Sequence, residues 1–215
     1  RRKFKNLGEE VNSFATHKQI SAPGTEFRYS GVGLNIAGHI IEKITGKKFE
    51  DVINEKLFLP LGMTQTTFAE EKQVSVNPSG GAKSTAADYS KFLMMLLHKG
   101  VYNNKRILSE KSIEMMRSAQ DSPEQIKYAP KAGAGKPYAL GSWSMDDNNK
   151  LTNSRKGELA NVLASPGLFG TWPRIDYCRG YAYIFLVKNF LGDQRASIHL
   201  DIKKMIDKQI PQGCN

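Results

Sequence analysis

The chain has 215 residues, 40% of them hydrophobic, so it can bury a sizeable core as one large domain or two small ones. It contains no run of about 18 apolar residues, so we expect no transmembrane segment. The net charge of +10 would favour an anionic partner, but the basic residues are scattered and are not interleaved with aromatic residues. Composition therefore indicates a globular protein with a basic surface and no nucleic-acid partner.

Helical patterns fill residues 1–120, which we predict to form a helical region. RRKFKN at the start shows no helix cap or turn. The first clear helix is expected to end at Gly46 in a left-handed cap, and a shorter one is expected to stop before Pro60. Thr85 and Asp88 form a possible capping box for a third helix, and Ser109 is the predicted cap of a fourth. The apolar stripe of the first helix comprises Ala37, Ile40, Ile41 and Ile44.

The pattern changes after residue 120. Residues 121–137 are rich in proline, glycine and lysine without apolar periodicity, which predicts a loop crossing. Residues 138–215 show strand patterns, with two strands around a turn near Arg179 and Gly180, and end in an amphipathic helix. The predicted apolar side of that helix holds Ile198, Ile202, Met205 and Ile206. Helices followed by antiparallel strands and one helix predict an α+β fold.

The glycine-rich stretches do not have the spacing of nucleotide-binding loops. Gly31, Gly33 and Gly38 follow a turn and have the wrong spacing for a dinucleotide fingerprint. GAGKP, at residues 133–137, lacks the earlier glycine and the Ser or Thr of a phosphate loop. We therefore expect no nucleotide cofactor.

The metal-ligating residue types also lack the spacing of a site. The 4 histidines include no HExxH pattern. His39 with Glu42 on one helical face is more typical of a surface hydrogen bond than of a metal site. Cys178 and Cys214 match no metal or redox spacing, so two unrelated thiols are favoured over a pair. We expect no metal and no other cofactor.

The residues from Pro23 onward, PGTEFRYSGVGLNIAGHIIEKITG, resemble the tyrosine-motif region of the serine β-lactamase-like and penicillin-binding-protein-like family. This family includes class C β-lactamases, D,D-peptidases and related esterases and amidases. PSGGAKSTAADYSKFLMMLLHKG and ASPGLFGTWPRIDYCRGYAYIFLVKN resemble later blocks of the same family, in the same order. The resemblance implies a β-lactamase/transpeptidase-like fold in one continuous domain.

The family's first active-site motif, S-x-x-K, is absent, since no serine in the chain has a lysine three positions later. The family places this motif N-terminal to the tyrosine, with the serine as nucleophile and the lysine helping to remove its proton. The resemblance therefore implies that Arg1 lies downstream of the nucleophile. An N-terminal segment of the same protein is the expected partner, and the chain alone is expected to be inactive.

The family's second motif is Tyr-x-Asn, and the chain has Tyr29-Ser30-Gly31 in its place. The resemblance implies that Tyr29 is the general base, because a phenol beside a lysine ammonium can accept the serine proton and return it to the leaving group. A buried structural tyrosine is the alternative. Gly31 lies at the substrate-binding position but lacks the amide that an asparagine would offer to the substrate carbonyl.

The third motif, Lys-Thr-Gly or His-x-Gly on an edge strand, corresponds to Ser165-Pro166-Gly167. Gly167 suits close backbone approach, and the N–H of Leu168 is the candidate oxyanion donor. Ser165 offers a hydrogen bond but no positive charge, which favours a neutral substrate unless Arg174 supplies the charge. A simple turn before a strand would also explain this sequence.

These features predict a serine hydrolase that forms an acyl-enzyme with a small ester, amide or peptide, with esterase or amidase activity favoured over β-lactamase activity. By resemblance alone, the protein is expected to be periplasmic or secreted. A different class stays open: a catalytically inactive domain that binds or regulates, for example by binding a cell-wall polymer attracted to the basic surface.

Overall fold

The computed structural model describes residues 4–69, 75–145, 157–187 and 196–210. Its α-helices are α1 Leu7–Phe14, α2 Val32–Thr45, α3 Phe49–Ile53, α4 Leu59–Leu61, α5 Ala86–Leu97, α6 Glu110–Arg117 and α7 Ala196–Gln209. Its strands are β1 Phe27–Arg28, β2 Val101–Tyr102, β3 Lys105–Arg106, β4 Ile126–Tyr128, β5 Trp143–Ser144, β6 Val162–Ala164, β7 Trp172–Asp176 and β8 Tyr181–Phe185. This succession confirms the predicted α+β fold.

Two compact units divide the chain. The first comprises Arg1–Pro23 and Ser30–Tyr89, and the second comprises Gly24–Tyr29 and Ser90–Asn215. Helices α1 to α4 lie in the first unit, and α6, α7 and the strands listed above lie in the second. The boundary falls within α5, after Tyr89.

The first unit begins with a capped helix that the sequence did not predict. The side chain of Asn6 accepts a hydrogen bond from the Glu9 N–H at 2.8 Å, which satisfies one free donor of the first turn of α1. The expectation that RRKFKN contains no cap is therefore wrong. Leu7 of α1 packs with Phe49 and Val76 in the core of this unit.

Helix α2 ends at Gly46 with φ +67°, as predicted, but it buries a different face from the expected one. Ile40 and Ile44 are exposed, whereas Asn35 and Gly38 are buried. The reason is close approach: a Cβ on Gly38 would lie 2.5 Å from the Pro78 side chain, so only glycine allows this contact. Of the predicted stripe, Ile41 packs against the core of this unit, whereas Ala37, Ile40 and Ile44 are exposed.

The second predicted helix does not stop before Pro60. One π-helical turn, Asn54–Phe58, follows α3, and its extra residue shifts the hydrogen bonding so that the Leu59 N–H bonds to the Asn54 carbonyl. Pro60 then follows within α4, which continues directly from this turn. Gly62, with φ +67°, ends the helix instead.

Two predicted caps are confirmed. Thr85 Oγ1 accepts from the Asp88 N–H at 3.2 Å before α5, and Ser109 Oγ accepts from the Ser112 N–H at 3.0 Å before α6. The Asp88 carboxylate bonds the Gln65 N–H at 2.7 Å, so it also ties the preceding loop to the helix. Local side-chain hydrogen bonds thus define these helix starts.

The second unit is built on an antiparallel sheet with strand order β5-β6-β7-β8. The predicted turn between its last two strands is confirmed, with Gly180 at φ +69°. Within the predicted 121–137 loop crossing, β4 pairs in parallel with β1. A hairpin formed by β2 and β3 was not predicted, although Asn103 and Asn104 at its turn adopt the positive φ angles that such turns favour.

The predicted apolar side of α7 is only partly buried: Ile202 and Ile206 are half-buried, and Ile198 is exposed. His199 and Lys203 are buried, whereas Met205 is 68% exposed. The Asp207 carboxylate accepts from Lys203 and from the Tyr181 hydroxyl, and Asp176 accepts from Arg179 at 3.0 Å. The Tyr181 hydroxyl and the Arg179 guanidinium, both near the β7–β8 turn, thus contact Asp207 of α7.

Two further observations concern the cysteines and the question of membrane-spanning helices. Cys178 is disulfide-bonded, which corrects the expectation of an unpaired thiol there, and Cys214 lies outside the described residues. Among the helices of the described residues, none has both the length and the apolar content needed to cross a bilayer.

Candidate active site

Tyr29 lies at the end of β1 in the second unit. Its N–H donates to the Tyr128 carbonyl at 3.0 Å, which continues the pairing of β1 with β4 by one residue. The side chain is half-buried. The backbone of the predicted base is thus anchored by a strand pairing that the sequence did not predict.

The ring of Tyr29 packs into an aromatic cluster, which we define as Phe27, Tyr29, Tyr138 and Trp143. The Tyr29 ring centroid lies 5.6 Å from that of Trp143 and 5.8 Å from that of Tyr138, where the contact is edge-to-face. Trp143 is 2% exposed, and Gly133 packs so closely on it that a Cβ there would clash with the indole. The aromatic cluster therefore restrains the Tyr29 ring from two sides.

Tyr138 contributes a neutral ring to this cluster. Burial raises the pKa of Tyr138 to about 12, and the neighbouring Tyr29 adds to the rise. Tyr138 therefore remains protonated at neutral pH. The ring contacts of Tyr138 within the aromatic cluster were not predicted from the sequence, although the closely spaced aromatic residues in YALGSW were a signal for such packing.

Ser165, Pro166 and Gly167 directly follow β6 and open its connection to β7. The Gly167 N–H donates to the Thr171 carbonyl at 2.7 Å, and the Gly170 N–H donates to the Gly167 carbonyl at 2.9 Å. These bonds close a tight turn with Leu168 at its tip, 64% exposed. In the described part of the chain, the Leu168 N–H makes no backbone hydrogen bond.

The position of β6 differs from the implied edge strand. In the described sheet β6 lies between β5 and β7. The pairing with β5 ends at Ala164, which is opposite Trp143. Ser165 therefore lies just beyond the pairing with β5, on a side of β6 where the described residues provide no further strand partner.

Tyr29 and the Ser165 turn lie on neighbouring parts of one core. Tyr29 packs on Trp143, Trp143 pairs with Ala164, and Ala164 precedes Ser165 in the chain. Ala164 and Trp143 are both buried in the same hydrophobic cluster, against which Tyr29 packs. Four of the five predicted site residues, Tyr29, Ser165, Gly167 and Leu168, thus belong to the second unit.

Gly31, the fifth predicted residue, belongs to the first unit. It precedes α2 with φ −77°, a backbone conformation open to any residue. A side chain here would require Ser79 to move, because a Cβ on Gly31 would lie 2.5 Å from Ser79 Oγ. Sequence reasoning did not connect Ser79 with this position.

Arg174 is buried in the sheet, with 2% of its surface exposed. Its Nη2 donates to the Met145 carbonyl at 3.3 Å. To reach a substrate carboxylate, the Arg174 guanidinium would have to leave its buried position and break this hydrogen bond.

A family model described as beta-lactamase matches residues 4–203 of the chain. The chain belongs to the beta-lactamase family. This membership confirms the resemblance found in the sequence, and the family's hydrolases include penicillin-binding proteins and esterases.

Three similar proteins show the range of this family. Penicillin-binding protein 4 of Amycolatopsis lactamdurans is 27% identical over 189 residues, 75% of this chain and 50% of that protein. A lovastatin esterase of Penicillium rubens is 26% identical over 154 residues, 61% of this chain and 38% of that protein. The crystal structure of a candidate beta-lactamase from Bacteroides dorei is 27% identical, with a TM-score of 0.69 over 91% of this chain and 63% of that one.

The chain spans about half the length of the curated relatives it matches. The share is 52% for an uncharacterized protein of Mycobacterium tuberculosis and 50% for the penicillin-binding protein.

Proposed function

We propose that the complete protein is a serine hydrolase that acts through an acyl-enzyme on a neutral ester or amide. In this proposal the nucleophilic serine and its lysine belong to an S-x-x-K motif N-terminal to this chain. Beta-lactamase family membership supports the reaction class. The observation that carries the proposal is the packing of Tyr29 on Trp143, which pairs with Ala164 next to the Ser165 turn.

Tyr29 is the proposed general base. Its phenolate would accept the proton of the serine hydroxyl while the serine oxygen forms a bond to the substrate carbonyl carbon. The same phenol would then donate that proton to the departing alcohol or amine as the ester or amide bond breaks. Water would then attack the acyl-enzyme carbonyl, with the Tyr29 phenolate accepting the water proton and returning it to the serine oxygen as the acyl bond breaks. The restraint of the ring by Trp143 and Tyr138 supports this role, because proton transfer depends on a fixed donor position.

Leu168 is the proposed backbone donor to the oxyanion. Its exposed position at the tip of the turn, and the absence of a backbone partner for its N–H within the described ranges, support this role. Ser165 and Gly167 are proposed to bind substrate beside it, since a Cβ on Gly167 would lie 3.3 Å from Thr171 and restrict the turn.

The preference for neutral substrates follows from the charges near these residues. Ser165 supplies no cation, Gly31 supplies no amide, and Arg174 is buried with its guanidinium bonded to Met145. A carboxylate would therefore lose a charge-assisted contact that is about twice as strong as a neutral hydrogen bond. We also propose that the protein is exported, since a disulfide at Cys178 suits an oxidising compartment.

The test is the Tyr29→Phe variant of the complete protein. We expect kcat on a neutral short-chain ester to fall about a hundredfold or more, since general base catalysis contributes about 10² to 10⁴. The matched control is Tyr128→Phe, an exposed tyrosine whose backbone carbonyl accepts from the Tyr29 N–H. Turnover by Tyr29→Phe within threefold of the parent would show that Tyr29 is structural.

A fluorophosphonate probe separates the hydrolase from an inactive binding domain. The complete protein should be labelled at one serine outside this chain, and the isolated 215 residues should remain unlabelled. Stoichiometric labelling within residues 1–215 would contradict the proposed location of the nucleophile. A complete protein that is folded but never labelled would favour the binding domain.

A further inference from the structure

Helix α7 contacts the connection between β6 and β7 through a buried histidine, and both belong to the second unit. His199 is 5% exposed, and its ring stacks on that of Trp172, with ring centroids 4.4 Å apart and an interplanar angle of 23°. Trp172 is the first residue of β7 and follows Thr171, whose carbonyl closes the turn by accepting from the Gly167 N–H at 2.7 Å. The histidine ring therefore packs on the residue that follows the 167–171 turn.

The same ring has a polar contact with this turn. Burial lowers the pKa of His199, and a hydrogen bond to the Gly170 backbone acts in the opposite direction. A contact that favours the protonated ring is one in which the ring donates, so the acceptor is the Gly170 carbonyl. Nδ1 of His199 has no hydrogen-bond partner in the part of the chain that the structure describes, so we assign this contact to Nε2. His199 thus holds Gly170 at its carbonyl.

The N–H of Gly170 in turn fixes the direction of the Leu168 N–H. The Gly167 carbonyl and the Leu168 N–H belong to one planar peptide unit and point to opposite sides of it. The Gly170 N–H donates to that carbonyl at 2.9 Å, so the Leu168 N–H is directed away from Gly170. Gly170 has φ +92°, in a region of backbone space where glycine moves freely, so an outside contact is needed to keep it in place.

We propose that His199 is a positioning residue for oxyanion stabilisation, because it holds Gly170 and thereby keeps the Leu168 N–H aimed at the oxyanion. This inference rests on the proposed hydrolase function, in which Leu168 is that donor. His199 acts through Gly170 and not by touching the substrate. An oxyanion donor is effective only if it is in place before the charge develops. A freely rotating turn would therefore stabilise the transition state less while the ground-state ester binds about equally well.

The first experiment measures the turn itself and does not use activity. His199→Phe keeps an aromatic ring on Trp172 but removes the donor to Gly170. In the complete protein, amide hydrogen exchange of a peptide covering residues 165–173 should become at least about fivefold faster in this variant, relative to the amides of β8.

The matched control for this experiment is His98→Phe. His98 is an exposed histidine of the second unit, and the same substitution there should leave exchange of the 165–173 peptide unchanged. Unchanged exchange in His199→Phe would overturn the proposal. Equal acceleration of the turn and of β8 would indicate a general loss of stability and would also overturn it.

The second experiment measures ester hydrolysis by the complete protein. His199→Phe should lower kcat about ten- to a hundredfold with KM within about twofold of the parent, since loss of a whole oxyanion donor costs about 10² to 10³. A boronic acid, which forms a tetrahedral adduct with the serine, should bind more weakly by a similar factor. His199→Gln keeps an N–H donor and should return kcat to within about fivefold of the parent, and His98→Phe should leave both constants unchanged.

The outcomes separate this inference from the hydrolase proposal. If the parent hydrolyses esters but His199→Phe changes kcat by less than threefold, His199 does not position the donor, and the hydrolase proposal stands. If KM changes as much as kcat, or if His199→Gln is as slow as His199→Phe, the role of His199 is packing and the inference is overturned. If the folded parent shows no turnover and no fluorophosphonate labelling, the hydrolase proposal fails and this inference fails with it.

Discussion

Tyr29 is held by aromatic packing in the second unit, whereas Gly31 lies in the first unit beside a chain of buried hydrogen bonds. The stabilising energy of the aromatic cluster depends on volume and is spread over many contacts. In the Glu10–Asn35–Ser79 chain the Ser79 N–H donates to Asn35 Oδ1, and Asn35 Nδ2 donates to Glu10 Oε1. The energy of this chain depends on every donor and acceptor being present. The first region should therefore tolerate apolar substitutions of similar volume, and the second should tolerate only substitutions that keep its polar groups.

The largest expected effect is on the aromatic cluster. Trp143→Ala should lower the free energy of unfolding by about 3–5 kcal/mol, because it removes a fully buried ring and leaves a cavity under Tyr29. Trp143→Phe should lose less than half as much. Urea unfolding of the complete protein measures both, with the exposed Tyr128→Ala as control, expected within about 0.5 kcal/mol of the parent. Equal losses for the Ala and Phe variants would contradict a volume-dependent cluster.

The next largest effect concerns substrate charge, since Ser165 offers no cation and Gly31 offers no amide to a substrate carboxylate. The complete enzyme should prefer a neutral short-chain ester over benzylpenicillin by at least about a hundredfold in kcat/KM. Ser165→Lys should improve the relative rate on the lactam. Ser197→Lys adds the same charge at an exposed position of α7 and should not. Efficient lactam turnover by the parent, or no relative gain for Ser165→Lys, would contradict the argument from charge.

A smaller effect is expected from the polar chain. Glu10→Ala removes the acceptor of both Asn35 Nδ2 and Ser75 Oγ and should lower the free energy of unfolding by about 2–3 kcal/mol. Glu10→Gln keeps one carbonyl oxygen and should lose less. Asn12→Ala, at an exposed position of the same helix, serves as the control in chemical denaturation. A loss for Glu10→Ala no larger than that for Asn12→Ala would show that the chain contributes no stability.

The smallest expected effect is a pH dependence of the free energy of unfolding that arises from the aromatic cluster. Burial raises the pKa of Tyr138 to about 12, so the folded state holds this proton more tightly than the unfolded state, whose phenol has the ordinary value of about 10. The stabilisation is fully present below pH 10 and is lost as the pH rises toward 12. Tyr138→Phe should therefore flatten the fall in unfolding free energy over this range. An unchanged slope for Tyr138→Phe would indicate that another group causes the fall.

Local rules predicted much of the helical structure. The caps at Thr85 and Ser109 and the left-handed ends at Gly46 and Gly180 depend on hydrogen bonds or steric freedom within a few residues. The helix through Pro60 was missed because one π-helical turn changes the register, which residue patterns alone do not reveal.

Faces of helices were predicted less well than their positions. Apolar spacing indicated a stripe on α2 of which Ile41 does pack against the core, but Ile40 and Ile44 are exposed. Gly38 and Asn35 are the fully buried positions of this helix. Gly38 permits a close approach to Pro78, and Asn35 bonds Glu10 across 25 residues of sequence. Contacts between distant segments therefore outweighed the periodicity of a single helix.

The candidate site likewise combines residues that the sequence predicted with contacts that it did not. The identity of Tyr29, Gly31 and the Ser165–Leu168 turn as candidates came from residue types in a recognisable order, and their catalytic roles remain predictions. The sequence by itself determined the family, the α+β fold class, the absence of S-x-x-K from these 215 residues and the lack of a cation at Ser165. Only the tertiary structure decided that Trp143 supports Tyr29 and that Ser79 fills the space at Gly31. The physical reason is that chemistry is carried by single side chains, whereas packing and buried hydrogen bonds join residues far apart in the chain, whose partners no local pattern specifies.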